Sequence, residues 1–223
     1  MGAVGVGRYM NPSKLEYLLR PTFAYSFVKP LLDWEALRDW NSHHRPPAPR
    51  LVKQSLIRRF ARTTGIRTFI ETGTFFGDMV EAVQGEFARV FSIELEPALR
   101  RRAAERFQEL SHVMIVEGDS STALFEVLRG LDERCLLWLD GHFSGGVTAR
   151  GTSDTPVRAE LAHVLRHNVR DHVVLIDDAR LFGSGDYPTI ENLTADVQEA
   201  RPEWSIAVED DIIRIGRPDD LRL

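Results

Sequence analysis

Short apolar runs alternate with helical stretches from residue 51 onward, and this alternation restricts the fold more than any other feature of the sequence. Apolar runs of this kind are typical of parallel strands that helices cover on both faces, so we predict an α/β sandwich. In this architecture ligands bind beyond the carboxyl ends of the strands. The predicted strands are 68–71, 90–93, 113–116, 136–139 and 173–176, then a hairpin of 204–208 and 212–215; the predicted helices are 51–64, 77–84, 97–109, 121–129, 156–167 and 189–200.

Residues 1–50 differ in texture from the rest of the chain. They are rich in proline and in aromatic residues, among them Tyr9, Tyr25, Phe27, Trp34 and Trp40, and they predict short helices near 13–19 and 31–40. We predict that this segment forms a lid or a homodimer contact, with simple packing onto the body as the alternative. The main domain is then expected over residues 51–223.

Composition excludes several classes of protein. The net charge of −5 argues against a nucleic-acid partner, because such a surface needs basic side chains to neutralise phosphates. No run approaches the roughly 18 apolar residues of a membrane span, and the first residues lack the basic start of a secretory signal. We therefore expect a cytoplasmic protein with no membrane span. The only cysteine, Cys135, is expected to be a buried strand residue.

The loop after the first strand holds two glycines, in the pattern Glu71-x-Gly73-x-x-x-Gly77. Glycines let a backbone turn tightly and approach a ligand without a Cβ in the way. A helix that begins near Gly77 offers N–H groups to an anion such as an amino acid carboxylate. The spacing differs from the Gly-x-Gly-x-x-Gly of dinucleotide-binding folds, so the loop alone does not identify its ligand.

Carboxylates also follow the next two strands. Glu94 ends the second strand about twenty residues after the glycine loop, a position typical of an acidic side chain that binds two ribose hydroxyls. Alternatively, Glu94 is a solvated charge before Pro97. Asp119 and Ser120 follow the third strand, where Asp119 can accept a hydrogen bond from an adenine amino group or cap the next helix.

These segments together resemble the successive cofactor motifs of class I S-adenosylmethionine (SAM)-dependent methyltransferases. The resemblance covers residues 51–215 and implies a Rossmann-like, seven-stranded sheet of order 3-2-1-4-5-7-6 with the last strand antiparallel, and the terminal hairpin agrees with it. It implies that Gly73 lines the methionine end of SAM, Glu94 binds its ribose, and Asp119 and Ser120 flank its adenine. The expected SAM contacts are Glu71, Thr72, Gly73, Thr74, Gly77, Asp78, Glu94, Asp119, Ser120 and Asp140.

Three aspartates follow the fourth and fifth strands, namely Asp140 and the pair Asp177 and Asp178. If these strands are neighbours, as the resemblance implies, the three carboxylates converge and repel each other. A hard divalent cation (Mg²⁺, Ca²⁺ or Mn²⁺) relieves that repulsion; alternatively the pair caps a turn and Asp140 faces water. The three residues resemble the metal site of catechol-type and macrocin-type O-methyltransferases, which implies Mg²⁺, although the segment between them is longer here.

His142 is the predicted catalytic base for a hydroxyl acceptor. Its unperturbed pKa of about 6.5 suits the removal of a proton from an activated oxygen. The alternative is a structural histidine that hydrogen-bonds the loop around Asp177.

The complete pattern predicts a SAM-dependent, Mg²⁺-dependent O-methyltransferase. Segments 138–146, 154–156 and 176–183 resemble bacterial methyltransferases associated with glycans, and the chain is similar to the small methyltransferases of mycobacterial methylmannose polysaccharide synthesis. That resemblance implies a hydroxyl of a sugar or oligosaccharide as the acceptor. Two alternatives stay open: a metal-independent methyltransferase of another small molecule that uses His142 directly, and a SAM-binding module without catalysis.

Overall fold

The computed structural model describes residues 23–140 and 155–223. The chain divides into two compact units, Met1–His43 and His44–Leu223. The described part of the first unit is a helix, α1 (Phe23–His43), which contains Pro30 and includes the helix predicted over 31–40. None of the helices in the described ranges has the length and apolar character needed to cross a bilayer.

The second unit alternates helices and strands along its length. Every strand and helix predicted between residues 51 and 215 is present, and the ends differ by at most two residues. The strands are β1 (Thr68–Thr72), β2 (Arg89–Glu94), β3 (Val113–Glu117), β4 (Cys135–Leu139), β5 (Val173–Ile176), β6 (Ser205–Glu209) and β7 (Ile212–Gly216). The helices are α2 (Arg50–Thr64), α3 (Asp78–Val83), α4 (Pro97–Phe107), α5 (Ser120–Arg129), α6 (Val157–Arg166), α7 (Ile190–Ala200) and α8 (Pro218–Leu221), with 3-10 turns at Gln84–Glu86 and Ala179–Leu181.

The strands form one seven-stranded sheet in the order β3-β2-β1-β4-β5-β7-β6. The first five strands in this order pair in parallel, while β7 is antiparallel to both β5 and β6. This order and the antiparallel strand confirm the predicted fold. Because five strands run in the same direction, their carboxyl ends lie along one edge, where ligands bind in open α/β sheets.

Apolar side chains cover both faces of the sheet. All residues of β1, β4, β5 and β7 are buried. Along β4, Leu137 belongs to one apolar cluster and Leu136 to the other, because successive side chains of a strand point to opposite faces. Cys135 is buried in the same strand, as predicted. The central strands are therefore fixed on both sides, and so are the positions of their ends.

Local capping explains why several helices begin and end where the sequence predicts. The Oδ1 atom of Asp119 accepts a 2.9 Å hydrogen bond from Ser121 N at the start of α5, and Thr189 caps α7 in the same way. Pro97 occupies the first turn of α4. Gly65 ends α2 with a φ of 67°, and its N–H donates to the Ala61 carbonyl.

Candidate functional site

A buried carboxyl group organises the loop after β1. Glu71 is 2 % exposed, and its Oε2 atom accepts a 2.5 Å hydrogen bond from the Ser92 hydroxyl. The Ser92 hydroxyl lies 2.7 Å from the Thr74 hydroxyl, which joins the loop to β2. Burial raises the pKa of Glu71 well above its ordinary value. Sequence reasoning placed Glu71 and Thr74 in this loop but did not include Ser92.

The backbone of the loop turns back onto β2. Gly73 N and Thr74 N both donate to the Ile93 carbonyl, at 2.9 and 3.2 Å. Gly73 has a φ of 86° and Gly77 a φ of 78°, in the left-handed region that favours glycine. A Cβ at Gly77 would lie 2.6 Å from the Phe107 ring, so the start of α3 packs too closely for a larger residue.

Glu94 ends β2 and holds two backbone N–H groups. Its Oε2 atom accepts from Phe75 N at 2.7 Å, and its Oε1 atom accepts from Glu96 N at 2.9 Å. Burial raises the pKa of Glu94, and the backbone donors oppose that rise. Each carboxylate oxygen has a second lone pair, so Glu94 retains the capacity to accept hydrogen bonds from a ligand.

The end of β3 lies beside the end of β2. Gly118 N donates to the Glu94 carbonyl at 3.0 Å, and Asp119 caps α5 immediately afterwards. Ser120 is buried at the first position of α5. The capping role that the sequence allowed for Asp119 is thus present, while contacts of Asp119 and Ser120 with adenine stay predictions.

Asp78, at the first position of α3, faces basic side chains. Its Oδ2 atom lies 3.4 Å from Arg50 Nη1, and its Oδ1 atom lies 3.2 Å from Arg106 Nη1. Arg106 also donates a 2.6 Å hydrogen bond to the Phe76 carbonyl, so this side chain of α4 holds both the loop and the start of α3. A contact between Asp78 and SAM stays a prediction.

Asp140, Asp177 and Asp178 come together at the ends of β4 and β5, which are neighbouring strands. Asp177 N donates to the Leu139 carbonyl at 3.1 Å, which places the two strand ends side by side. Burial raises the pKa of Asp177; repulsion from Asp140 adds to the rise, nearby Lys53 opposes it, and Asp178 adds to it again. We refer to Asp140, Asp177 and Asp178 as the aspartate cluster.

The turn after β5 carries its own ionic contacts. Asp178 has a φ of 58°, and its Oδ1 atom accepts from Arg180 Nη1 at 2.7 Å. Arg180 also pairs with Asp211, which precedes β7. The Asp178 side chain is therefore directed by a cation from the next turn of the chain.

The aspartate cluster is continuous with the glycine loop. Asp140 N donates to the Thr72 carbonyl and lies 3.2 Å from it, and the Thr72 hydroxyl is also 3.2 Å away. Since Thr72 directly precedes Gly73, Asp140 of the aspartate cluster lies next to the start of the glycine loop.

Solved structures of methyltransferases are similar to this chain over most of its length. A SAH-bound methyltransferase of Podospora anserina is 14% identical with a TM-score of 0.55, and the match covers 98% of this chain and 100% of that one. An O-methyltransferase of Bacillus cereus in complex with SAH is 14% identical with a TM-score of 0.55, covering 92% and 96%. An O-methyltransferase of Streptomyces achromogenes involved in tomaymycin synthesis, in complex with SAM, is 17% identical with a TM-score of 0.51, covering 81% and 85%.

This chain has the methyltransferase fold. Sequence identities of 14–17% show a shared fold but do not identify the substrate. The sequence matches no family model and no curated protein.

Within this methyltransferase fold, Lys53 is a site residue that sequence reasoning missed. It lies in the first turns of α2, and its Nζ atom contacts Asp177 Oδ2 and is 3.9 Å from Asp178 Oδ1. Burial lowers the pKa of Lys53, but Asp177, Asp140 and Asp178 outweigh it, so the net change is a rise. A signal existed in the composition, because Lys53 is one of only three lysines among 28 basic residues.

The first turns of α2 reach both parts of the edge. Arg50 lies 3.4 Å from Asp78, and Gln54 Nε2 donates to the Asp78 carbonyl at 3.3 Å, while Lys53 contacts Asp177. In this chain, a helix that precedes all seven strands in sequence therefore contacts the edge of the sheet at the ends of both β1 and β5.

Glu160 is a second site residue that sequence reasoning missed. It lies on α6 and is 1 % exposed, and burial raises its pKa to about 7 although Ser120 and Thr72 hydrogen-bond to it. Its Oε1 atom has no hydrogen-bond partner among the residues described. The signal in the sequence was a glutamate on the apolar face of a helix, between Val157 and Leu161.

A small pocket opens between the ends of β4 and β5 and the start of α6. Its polar lining consists of three carboxyl groups and two hydroxyls, from Asp140, Glu160, Asp177, Thr155 and Tyr187. Burial raises the pKa of Tyr187 to about 12, so its hydroxyl stays protonated at neutral pH. The carboxyl and hydroxyl oxygens of the pocket can accept hydrogen bonds from a ligand.

His142 lies outside the described residues, as do Gly145, Gly146 and residues 152–154. The role of His142 as a base stays a prediction. Within residues 23–140 and 155–223, no group of three or more His, Cys, Asp or Glu side chains is arranged to hold a metal ion.

Proposed function

We propose that this protein is a SAM-dependent O-methyltransferase that methylates a hydroxyl of a sugar or oligosaccharide. The observation that carries the proposal is the continuity of the glycine loop with the aspartate cluster through the contact of Asp140 N with Thr72. A cofactor held in the loop after β1 then has its reactive end next to carboxylates that can orient an acceptor.

The residues at the ends of β1, β2 and β3 fit SAM. Glu94 is nearly buried and retains lone pairs for the ribose hydroxyls, and Asp119 and Ser120 lie beside it at the end of β3. The glycine loop lets the backbone of residues 73–77 approach a bound cofactor closely, because glycine has no side chain to obstruct it. When bound, SAM supplies a methyl group on a sulfonium centre, which is cationic and suits an acidic edge.

The chemistry is an in-line displacement in which the acceptor oxygen forms a bond to the methyl carbon while the sulfur–carbon bond breaks. The hydroxyl proton must leave, and we assign its removal to His142. To Asp140 and Asp177, which line the pocket, we assign the role of accepting hydrogen bonds from the acceptor and orienting its oxygen. Alignment of this kind accounts for a large share of the acceleration of bimolecular reactions.

The lining of the pocket supports a neutral acceptor rich in hydroxyls, such as the sugar or oligosaccharide that the sequence resemblance implies. The carboxyl groups can accept hydrogen bonds from sugar hydroxyls, whereas the phosphate of a phosphorylated acceptor meets three acidic side chains.

The Mg²⁺ that the sequence predicted does not fit the described side chains as they are arranged. Lys53 lies against one carboxylate oxygen of Asp177 and Arg180 against one of Asp178, so the positive charge of each repels an ion at these ligands. This observation favours the metal-independent alternative, and no step of the proposed chemistry passes through a metal.

The role of residues 1–50 as a lid or dimer contact is part of the proposal. α1 supports it by exposing large apolar side chains, with Phe27 68 %, Leu31 58 % and Trp34 55 % exposed. The cytoplasmic location and the lack of a nucleic-acid partner stay predictions.

Incubation with methyl-labelled SAM and a panel of short mannosides, glucosides, sugar phosphates and phenols tests the function. We expect label in the neutral glycosides and little in the sugar phosphates. Calorimetry with SAM in parallel separates the alternatives: SAM binding with no transfer to any hydroxyl would favour the non-catalytic module. Absence of SAM binding would contradict the proposal as a whole.

A further inference from the structure

We propose that Lys53 supplies the positive charge of the aspartate cluster, in the place where the sequence predicted a divalent metal ion. The proposal concerns the site of the proposed function and rests on it for its catalytic meaning. It assigns Lys53 as a positioning residue that holds Asp177 for the acceptor.

The contacts of Asp177 place a positive charge on one of its two oxygens, and that charge opposes a metal ion there unless Lys53 moves. Asp177 Oδ2 contacts Lys53 Nζ, and Asp177 Oδ1 accepts from Asp178 N at 2.8 Å. The two side chains are 15 % and 3 % exposed, so the ion pair is shielded from water. An Mg²⁺ ion needs close oxygen ligands at about 2.0–2.1 Å, and an ammonium group on the same oxygen repels it.

Asp178 is similarly engaged. Arg180 Nη1 donates to its Oδ1 atom at 2.7 Å, and Lys53 Nζ lies 3.9 Å from the same atom. The two aspartates after β5 thus each have a cation of the chain itself beside them. A cluster with its own cations does not need an added ion to relieve the repulsion among its carboxylates.

The kind of cation is itself informative. The chain uses lysine at only three positions, Lys14, Lys29 and Lys53, among its 28 basic residues. An ammonium group is a compact point charge, whereas a guanidinium is a wide planar fork. The compact charge of Lys53 lies beside Asp177 and Asp178, and Lys53 is not among the described residues that line the small pocket.

Titration with Mn²⁺, a hard cation that reports its own binding in magnetic resonance, tests the inference without any acceptor. The proteins are the full chain, Lys53→Met, and the matched control Lys29→Met, which removes an ammonium group on α1. We expect the unmodified protein and Lys29→Met to show no stoichiometric binding up to about 1 mM Mn²⁺. In Lys53→Met we expect a site that binds Mn²⁺ at least ~10-fold more tightly than this limit, because its carboxylates lose their cation.

Stoichiometric binding of Mn²⁺ by the unmodified protein at micromolar concentration overturns the inference, even if Lys53→Met does not fold. So does a Lys53→Met variant that folds and gains no site. A third variant, Lys53→Arg, keeps the charge, and we expect it to remain without a metal site.

Assays of methyl transfer separate this inference from the proposed function. We expect transfer to survive a chelator, and we expect Lys53→Met to lose kcat rather than to raise the KM for SAM. If a chelator abolishes methyl transfer, the result agrees with the proposed function and contradicts the inference that Lys53 takes the place of a metal ion. If no transfer occurs to any hydroxyl, the function falls, and the Mn²⁺ titration still decides whether Lys53 excludes a metal.

Discussion

The two halves of the ligand edge satisfy their carboxylates in different ways. At the ends of β2 and β3, Glu94 and Asp119 accept hydrogen bonds from backbone N–H groups, two of them two residues further along the chain and the third from Phe75 in the loop after β1. At the ends of β4 and β5, Asp177 contacts Lys53, which is 124 residues away, and Asp178 contacts Arg180. In the first half the carboxylates meet neutral backbone donors, and in the second they meet cationic side chains, one of which, Lys53, only the folded chain brings near.

This difference indicates a division of labour. Backbone donors are neutral and fixed, so the half at the ends of β2 and β3, to which we assign the cofactor and which we call the cofactor half, is set once the loops form. The aspartate cluster instead depends on ionic contacts between distant elements, and its properties change when one charge is removed. Variants in the two halves are therefore expected to have separable effects.

Asp177→Ala is expected to have the largest effect. It removes an oxygen acceptor beside the proposed reacting centre and leaves Lys53 buried without its main partner. We expect methyl transfer to fall by about 10²–10³-fold, with SAM affinity nearly unchanged in calorimetry. Glu209→Ala, which removes a mostly exposed carboxylate from β6, is the control and should retain activity. Full activity of Asp177→Ala would contradict the assignment of the site.

Glu160→Gln is expected to change the pH dependence of stability. The pKa of Glu160 is raised to about 7 by burial, so the folded protein holds a proton that the unfolded chain releases near its ordinary value of 4.5. Stability is therefore lost as the pH rises from about 4.5 to about 7, by up to roughly 3 kcal/mol. The glutamine variant carries no such group and should be less sensitive to pH over this interval.

Urea unfolding at pH 5 and pH 8 measures this effect. We expect the free energy of unfolding of Glu160→Gln, relative to the unmodified protein, to be higher at pH 8 than at pH 5. Glu126→Gln, an exposed glutamate on α5 paired with Arg129, gives the effect of removing a surface charge. An equal difference at both pH values would show that Glu160 does not titrate as proposed.

Gly77→Ala tests the packing of the cofactor half. An alanine here adopts a left-handed φ of 78° and places its Cβ 2.6 Å from the Phe107 ring. We expect a loss of about 2–3 kcal/mol from backbone strain and overpacking together. Gly65→Ala is a matched control, because Gly65 has a φ of 67° with no atom within 4 Å of the added Cβ.

The comparison of the two glycine variants isolates the contact with Phe107. Gly65→Ala should lower the free energy of unfolding by only about 1 kcal/mol, because only the strain of its left-handed backbone contributes. Thermal unfolding measures both, and equal losses would mean that the ring moves aside without cost.

Glu94→Gln is expected to have the smallest effect. The amide retains one acceptor oxygen, so one of the two N–H groups from Phe75 and Glu96 loses its partner. We expect the Kd of SAM in calorimetry to rise about 10-fold, equivalent to roughly 1.4 kcal/mol, with kcat at saturating SAM little changed. Glu96→Gln is the neighbouring control. A fall in kcat without a change in the Kd of SAM would contradict the assignment of Glu94 to cofactor binding.

The fold was predictable because its signals are local. Pro97, Asp119 and Thr189 mark helix starts, and the apolar runs from Thr68 to Ile176 mark buried strands at nearly their observed limits. The candidate residues that directly follow strands could also be predicted, because the carboxyl ends of parallel strands lie along one edge.

Lys53 and Glu160 could not be predicted by the same reasoning. Both lie within helices rather than after strands, and an amphipathic pattern does not specify which cavity a helical side chain enters. Ser92 is similar, since only the pairing of β1 with β2 brings it to Glu71.

The sequence by itself determined the order of the elements and the chemistry placed at each strand end, because turns, caps and apolar periodicity act over a few residues. The tertiary structure decided how the charges of the aspartate cluster are balanced. Burial strengthens every electrostatic interaction, so the identity of the nearest cation, here Lys53, controls a buried carboxylate more than its own neighbours in sequence do.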